Sequence, residues 1–266
     1  MSPLQESRAW FPFGLGREDA HTRLFCLPFA GGGASNFLSW RMRLEDAGVA
    51  VAPLQYPGHE TRLGETPLHA LDDMLAALQE AIMPQLDRQY VLFGYSMGAR
   101  LASALAARLA NAGLPPVQLI VAAHVPPDMP SPALQAIGLD DDAFKALLSQ
   151  YGGIPAEMSH EPAFWEMVLP VMRADFALAA APFAAMSVPA AYPITAYAGA
   201  DDRHADAKSM AGWQRFTTAD FVLKEFAGDH FFLRSADVCA ALNTDLAPVA
   251  RVAHLRSADL HPLVSA

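Results

Sequence analysis

Val91-Leu92-Phe93-Gly94-Tyr95-Ser96-Met97-Gly98-Ala99 is the stretch on which the reading of this chain turns. An apolar run ends in Gly-x-Ser-x-Gly, and an alanine-rich segment with helical spacing follows. This is the sequence form of a nucleophile elbow: a strand, a sharp turn carrying a serine, and a helix. The turn strains the serine backbone, so the residues two before and two after it must be small. Gly94 and Gly98 stand at those positions. A helix starting near Met97 aims free N–H groups and its positive dipole end at the serine oxygen. The pentapeptide alone is weak, since at average glycine and serine usage it arises by chance in roughly one chain in ten of this length. The rest of the chain has to supply a base and an acid.

The totals set the frame. The 266 residues are 53% hydrophobic and 17% charged, which fits one large globular domain and excludes disorder. Eighteen Lys and Arg against 28 Asp and Glu leave a net charge of −10, which argues against a nucleic-acid surface. An acidic partner would be repelled at long range and would need a local basic or apolar patch. Cys26, inside an apolar run, reads as a core residue, and with Cys239 it makes neither a disulfide framework nor a zinc site. The N-terminus lacks the basic and apolar regions of a signal peptide. Phe176 to Ala200 is uncharged and long enough to span a bilayer. Pro182, Pro189 and Pro193 interrupt it, so it reads as the end of a buried helix, a loop and a strand. The expectation is a soluble, cytoplasmic protein.

Upstream of the elbow, residues 1–22 are irregular and aromatic (Trp10, Phe11, Phe13) and are expected to lie as an edge strand. Leu24-Phe25-Cys26-Leu27 has the continuous apolar character of a buried parallel strand. It runs into Pro28-Phe29-Ala30-Gly31-Gly32-Gly33-Ala34. This is neither a Walker loop, for want of the lysine, nor a dinucleotide fingerprint. It reads as a flexible loop presenting a backbone N–H, so that Ala30 and Met97 would supply the two donors of an oxyanion hole. Residues 49–54 form the next strand pattern, and Leu68 to Met83 has helical spacing with Asp72 and Asp73 near its start.

Downstream, Gly98 to Ala110 reads as a helix and Val117 to Ala123 as a strand. Alternating strands and helices imply a mostly parallel sheet with helices on both faces. The alternation breaks between about residues 126 and 193, where only helical patterns and loops appear. Asp140-Asp141-Asp142 opens one helix as a solvated N-terminus, and Glu161 to Ala181 carries one or two more. The chain thus reads as a single domain, 1–266, with a helical lid inserted over the carboxyl ends of the strands. Strand patterns resume at 194–198 and 221–226. A closing helix is expected at about 237–247, with a loose tail from about Pro248.

A serine hydroxyl needs a base to take its proton, and the base needs a carboxylate to hold its tautomer. On this architecture the order along the chain is serine, acid, histidine. Of nine histidines, His21, His59 and His69 precede Ser96. His124 follows the first strand after the elbow, which leaves no strand to carry the acid. His160 falls in the insertion, and His254 and His261 in the tail. His204 reads as a surface residue. His230 follows the last strand and a Gly-Asp turn, and is the base. For the acid, the loop after 194–198 offers Asp201 and Asp202. The usual placement three residues after the glycine selects Asp202 after Gly199. Asp229 adjoins His230, so its side chain should point away and cap the turn or the final helix.

Five blocks now resemble one family: residues 24–35, Tyr56-Pro57-Gly58-His59-Glu60-Thr61-Arg62-Leu63, residues 93–99, Leu169-Pro170-Val171-Met172-Arg173-Ala174-Asp175-Phe176 and Gly228-Asp229-His230-Phe231-Phe232. In order, over roughly residues 22–245, they look like the type II thioesterases, stand-alone enzymes of polyketide synthase and nonribosomal peptide synthetase systems. The resemblance implies an α/β-hydrolase fold. It also implies hydrolysis of aberrant or stalled acyl groups from the phosphopantetheine arm of acyl or peptidyl carrier proteins. No cofactor and no metal are implied, and no nucleic-acid or membrane partner; the chain is expected to be a monomer. Because carrier proteins are acidic, an apolar contact rimmed by arginines or lysines is expected at the pantetheine entrance. Two positions depart from the family, which usually has His where Tyr95 stands and Arg where His59 stands. The alternatives are a product-releasing thioesterase, a carboxylesterase of the same fold, or a catalytically silent protein that docks on synthase modules.

Overall fold

The apolar runs on either side of the elbow pair into one parallel sheet. In this computed structural model, residues 8–44, 48–154, 157–182 and 188–258 are described. The strands are β1 (Thr22–Leu27), β2 (Val49–Pro53), β3 (Gln89–Tyr95), β4 (Gln118–Ala122), β5 (Ile194–Gly199) and β6 (Phe221–Phe226), in the spatial order β2-β1-β3-β4-β5-β6. All five pairings are parallel. The register sets Leu27 beside Gly94, Gly94 beside Val121 and Gly199 beside Phe226, so the loops after these strands leave one edge together.

Alternate residues face opposite sides of a strand, and both sides are apolar here. Phe25, Leu27 and Leu92 face one core, covered by helices α2 (Leu71–Ile82) and α3 (Met97–Asn111). Leu24, Cys26, Val91 and Phe93 face the other, where Trp40 and Leu44 of α1 (Leu38–Leu44) meet Val238 and Leu242 of the final helix. Burial on both faces explains why β1 to β5 read as unbroken apolar runs. The order of strands reverses between β1 and β3, and the crevice at such a switch point is where α/β sheets place their sites.

The segment between β4 and β5 carries α4 (Asp141–Tyr151) and α5 (Pro162–Ala180), the latter packed against α3. The Asp140 side chain caps α4, accepting from the Ala143 N–H at 2.9 Å, and Asp141 and Asp142 pair with Arg173 and Lys145. The single helix α5 continues through Pro170, giving up only the bond that a proline N–H cannot donate. With 183–187 outside the described residues, 176–200 resolves into the end of α5 and β5. No described helix is long and apolar enough to cross a membrane.

Two expectations fail. Among the described residues of the N-terminal segment, which begin at 8, there is no edge strand before β1: residues 8–10 form a turn of helix, and Trp10 and Phe11 are buried against the β1 face. Burying two large aromatic side chains outweighs what an outer strand would gain. The last helix, α6 (Ala236–Ala258), runs through Pro248 to 258, so the chain is not loose from that proline.

Candidate active site

The elbow needs its glycines for close approach. A Cβ on Gly94 would lie 2.1 Å from the Gly98 carbonyl oxygen, and one on Gly98 would lie 2.0 Å from the Leu27 carbonyl oxygen. Between them Ser96 sits at φ 52°, a conformation that costs a side-chain-bearing residue about 1–3 kcal/mol. Its own N–H donates to the Ala122 carbonyl of β4 at 2.8 Å, which anchors the turn. Met97 is the first residue of α3, where a backbone N–H has no helical partner.

Ser96, His230 and Asp202 come together from the loops after β3, β6 and β5. His230 Nε2 lies 3.0 Å from Ser96 Oγ, and His230 Nδ1 lies 2.9 Å from Asp202 Oδ2. The Asp202 side chain is fully buried. Burial disfavours its charge, but the His230 hydrogen bond and charge, with the backbone N–H groups of His204 and Ala205, hold its carboxyl below the usual range. Those two N–H groups donate to Oδ1 at 2.8 and 3.2 Å, which leaves Oδ2 for the imidazole. Asp201 is exposed, and Asp229 turns away to accept from the Phe231 N–H at 2.9 Å.

The glycine loop is held from three sides rather than loose. Gly31 N–H donates to Asp175 Oδ2 at 2.7 Å, Ala34 N–H to Gln55 Oε1 at 3.1 Å, and the Ser35 hydroxyl to Glu60 Oε1 at 2.5 Å. Ala30 lines the cavity beside Ser96. Among the described residues its N–H has no hydrogen-bond partner in the loop.

Several residues of this region escaped the sequence reading. Asp175, on α5 and 1% exposed, meets His59 Nε2 at 2.8 Å as well as the Gly31 N–H. Burial opposes charge on the His59 ring, but the Asp175 hydrogen bond and charge outweigh it, and the net pKa is raised. The insertion is thereby bonded to the turn after β2 and to the glycine loop. Tyr95, inside the elbow, donates its hydroxyl to the His230 carbonyl at 2.7 Å and accepts from the Leu233 N–H at 3.2 Å. It therefore clamps the loop that carries the histidine, and burial pushes its phenol pKa well up. His204 is half-buried rather than on the surface; it stacks on Tyr151 with ring centroids 4.0 Å apart. Burial and then the nearby His230 lower its pKa. His124 lies in the wall, pushed down to about 4 by burial, with Nδ1 2.8 Å from the Val125 carbonyl. Only the residue types of Tyr95 and His59, unusual for their blocks, hinted at such contacts.

A cavity of about 250 Å³ opens over Ser96, walled by Leu148, Ile154, Phe164, Val168 and Met172 of the insertion. A recess of about 30 Å³ continues from Ser96 toward Ala123, His124, Ser131 and Ala133. A nucleophile, a base and an acid in hydrogen-bonded line, at the floor of an apolar cavity, have the parts for acyl transfer.

Comparison with known proteins agrees with this chemistry. The thioesterase domain family matches residues 22–246. The gramicidin S biosynthesis protein GrsT of Aneurinibacillus migulanus is 30% identical over 255 residues, covering 93% of this chain and 99% of that protein. Among solved structures, the RedJ thioesterase from the prodiginine pathway of Streptomyces coelicolor superposes with a TM-score of 0.76 at 32% identity, over 90% of this chain and 99% of that one. The type II thioesterase BorB from the borrelidin biosynthetic cluster gives 0.77 at 29% identity, over 90% and 96%.

Proposed function

The chain belongs to the thioesterase family, and on that footing we propose that it is an editing serine thioesterase that clears aberrant or stalled acyl groups from the phosphopantetheine arms of carrier proteins. The observation that carries the reading is the line from Asp202 through His230 to Ser96, with steps of 2.9 and 3.0 Å, at the floor of the cavity. His230 Nε2 takes the Ser96 proton as Oγ attacks the thioester carbonyl carbon. Asp202 accepts from Nδ1–H, which fixes the tautomer and stabilises the imidazolium. The oxyanion sits between the N–H groups of Ala30 and Met97, each donor worth about 2.7–4 kcal/mol in analogous sites. The carbon–sulfur bond breaks, and the thiolate leaves with the proton from His230. Water, activated by the same imidazole, then hydrolyses the acyl-serine and restores the hydroxyl.

The setting supports carrier-bound thioesters. The similar proteins are named for gramicidin S, prodiginine and borrelidin biosynthesis, and BorB is described as a type II thioesterase. A cavity of about 250 Å³ is below the ~300–1,000 Å³ of pockets for drug-sized ligands, which suits a short acyl group. The enzyme acts as a cytoplasmic monomer with no resident cofactor. Two measurements test the proposal. A fluorophosphonate probe should label the protein and fail to label the Ser96→Ala variant. Mass spectrometry of a panel of acylated carriers should show the acyl groups lost and the free arm regenerated. A well-folded protein that takes no label removes the mechanism, and one that cleaves only simple esters removes the substrate class.

A further inference from the structure

The cavity over Ser96 does not end at the insertion. Phe29, Phe231 and Arg234 line it and also line an outer groove of about 330 Å³ between α1 and the start of α6. Among the described residues, Arg234 is the one Lys or Arg side chain that lines the inner cavity. Its guanidinium carbon lies 5.6 Å from the Phe231 ring centroid, at the junction of the two spaces. Arg43 projects from α1 into the same groove, beside the Cys239 thiol, and the polar side chains of Asn36, Ser39 and Ser235 complete the wall. Arg43 and Arg234 are both exposed, and among the described residues neither is paired with a carboxylate. Asp237, the acidic residue in the first turn of α6, forms no ion pair with them. In a chain with 18 cationic against 28 acidic side chains, two uncompensated arginines at the mouth of the site stand out. Met42, next to Arg43 and 78% exposed, adds an apolar contact on the outside.

The two spaces match the two ends of one ligand. A pantetheine arm is uncharged near its thioester and ends in a phosphodiester anion. We infer that the outer groove is the seat of that phosphodiester, held by Arg234 and Arg43, with the carrier protein resting on Met42. The arm then runs past Phe29 and Phe231 to place its thioester at Ser96. Guanidinium groups suit phosphate oxygens because their paired N–H donors match them. The contact is at the surface, so added salt weakens it.

This inference rests on the carrier reading, and the test separates the two. The substrates are one acyl group on pantetheine, on phosphopantetheine and on an intact carrier protein. For the wild type, kcat/KM on acyl-phosphopantetheine should exceed that on acyl-pantetheine by about tenfold or more, the value of one charge-assisted hydrogen bond. In the Arg43→Gln/Arg234→Gln double variant that ratio should fall toward one. Arg43→Lys/Arg234→Lys should restore much of it, and KM for the carrier should rise with salt in the wild type more than in the Gln variant. An unchanged ratio in the Gln variant overturns the phosphate seat while leaving carrier hydrolysis in place. A wild type that cleaves acyl-pantetheine but no acyl-carrier overturns the carrier reading and this inference with it.

Discussion

Asp175→Ala tests whether the insertion and the catalytic loops are one mechanical unit. The carboxylate is 1% exposed; it accepts from the Gly31 N–H at 2.7 Å and contacts His59 Nε2 at 2.8 Å. The substitution takes the acceptor from the Gly31 N–H and leaves the buried His59 Nε2 without its partner, while Nδ1 keeps the Pro57 carbonyl at 3.0 Å. Breaking a buried pair from one side costs about 3–5 kcal/mol, a large share of the ~5–15 kcal/mol that holds a domain folded. Activity should fall as well. The residue released is Gly31, and Ala30 before it carries one of the two proposed oxyanion donors. A donor lost outright costs about 10²–10³ in kcat, so a displaced one should cost a substantial part of that. Asp175→Asn keeps the shape and an acceptor for the Gly31 N–H, and should lose less of both.

The same pair makes stability depend on pH. The folded His59 pKa is raised, so the folded chain holds the proton more tightly than the unfolded chain. The sign follows: this stabilisation is present in full below the ordinary histidine pKa of about 6.5 and is lost as pH rises through the folded value. Denaturant midpoints measured from about pH 5.5 to pH 9 should show this loss in the wild type. It should be absent in Asp175→Asn, and absent in His59→Arg, whose charge is permanent. Thioester hydrolysis by the same variants supplies kcat. An Asp175→Ala protein with the wild-type midpoint and wild-type kcat would refute the reasoning.

Two further outcomes follow from the loops themselves. Asp202→Asn keeps the contacts but presents the wrong hydrogen-bonding partner to His230 Nδ1, and kcat should drop by about 10⁴ with little change in stability. Tyr95→Phe removes the hydroxyl that binds the His230 carbonyl and the Leu233 N–H. It leaves both groups buried and unpartnered, and thermal unfolding should register a loss of about 1–3 kcal/mol. Labelling of Ser96 should slow in that variant, because the loop that carries the base is no longer clamped.

What could be read from the sequence was local or followed chain order. Apolar runs buried on both faces announced β1 to β5, and the glycine pair announced the turn at Ser96. Because each strand of a parallel sheet ends on the same edge, residues just after strands could be grouped, and Ser96, Asp202 and His230 do meet. The reading failed where a contact spans a long stretch of chain or where burial overrides local pattern. Nothing within ten residues of Asp175 points to His59, 116 positions earlier. Pro248 suggested the end of the last helix, yet that helix runs on through it, as α5 runs through Pro170, each giving up one backbone bond. Trp10 and Phe11 carried no periodic signal, and only the apolar face they cover explains their burial. His204 looked like surface because it follows the charged run Asp201, Asp202 and Arg203, but Asp202 is itself buried and Tyr151 from the insertion covers the His204 ring.

Each of the four catalytic loops is held by hydrogen bonds, three of them from outside the loop and the Asp202 loop from within. Ser96 N–H is held by Ala122, Asp202 by the N–H groups of 204 and 205 ahead of it, the His230 carbonyl by Tyr95, and Gly31 by Asp175. Three of these ties belong to the sheet and its edge; only the fourth reaches into the insertion. The division has a consequence for specificity. Leu148, Ile154, Phe164 and Val168 wall the cavity and supply no hydrogen bond to any of the four ties, so they can change size and alter which acyl group fits while those bonds at Ser96 stand. Asp175 has no such freedom. Met172, one turn before it on α5, also lacks that freedom. A Cβ on Gly31 would lie 2.7 Å from the Met172 sulfur, so this side chain packs directly on the loop that carries Ala30. Variation in acyl preference should therefore be carried by α4 and the first half of α5, and the second half of α5 should behave as part of the catalytic frame.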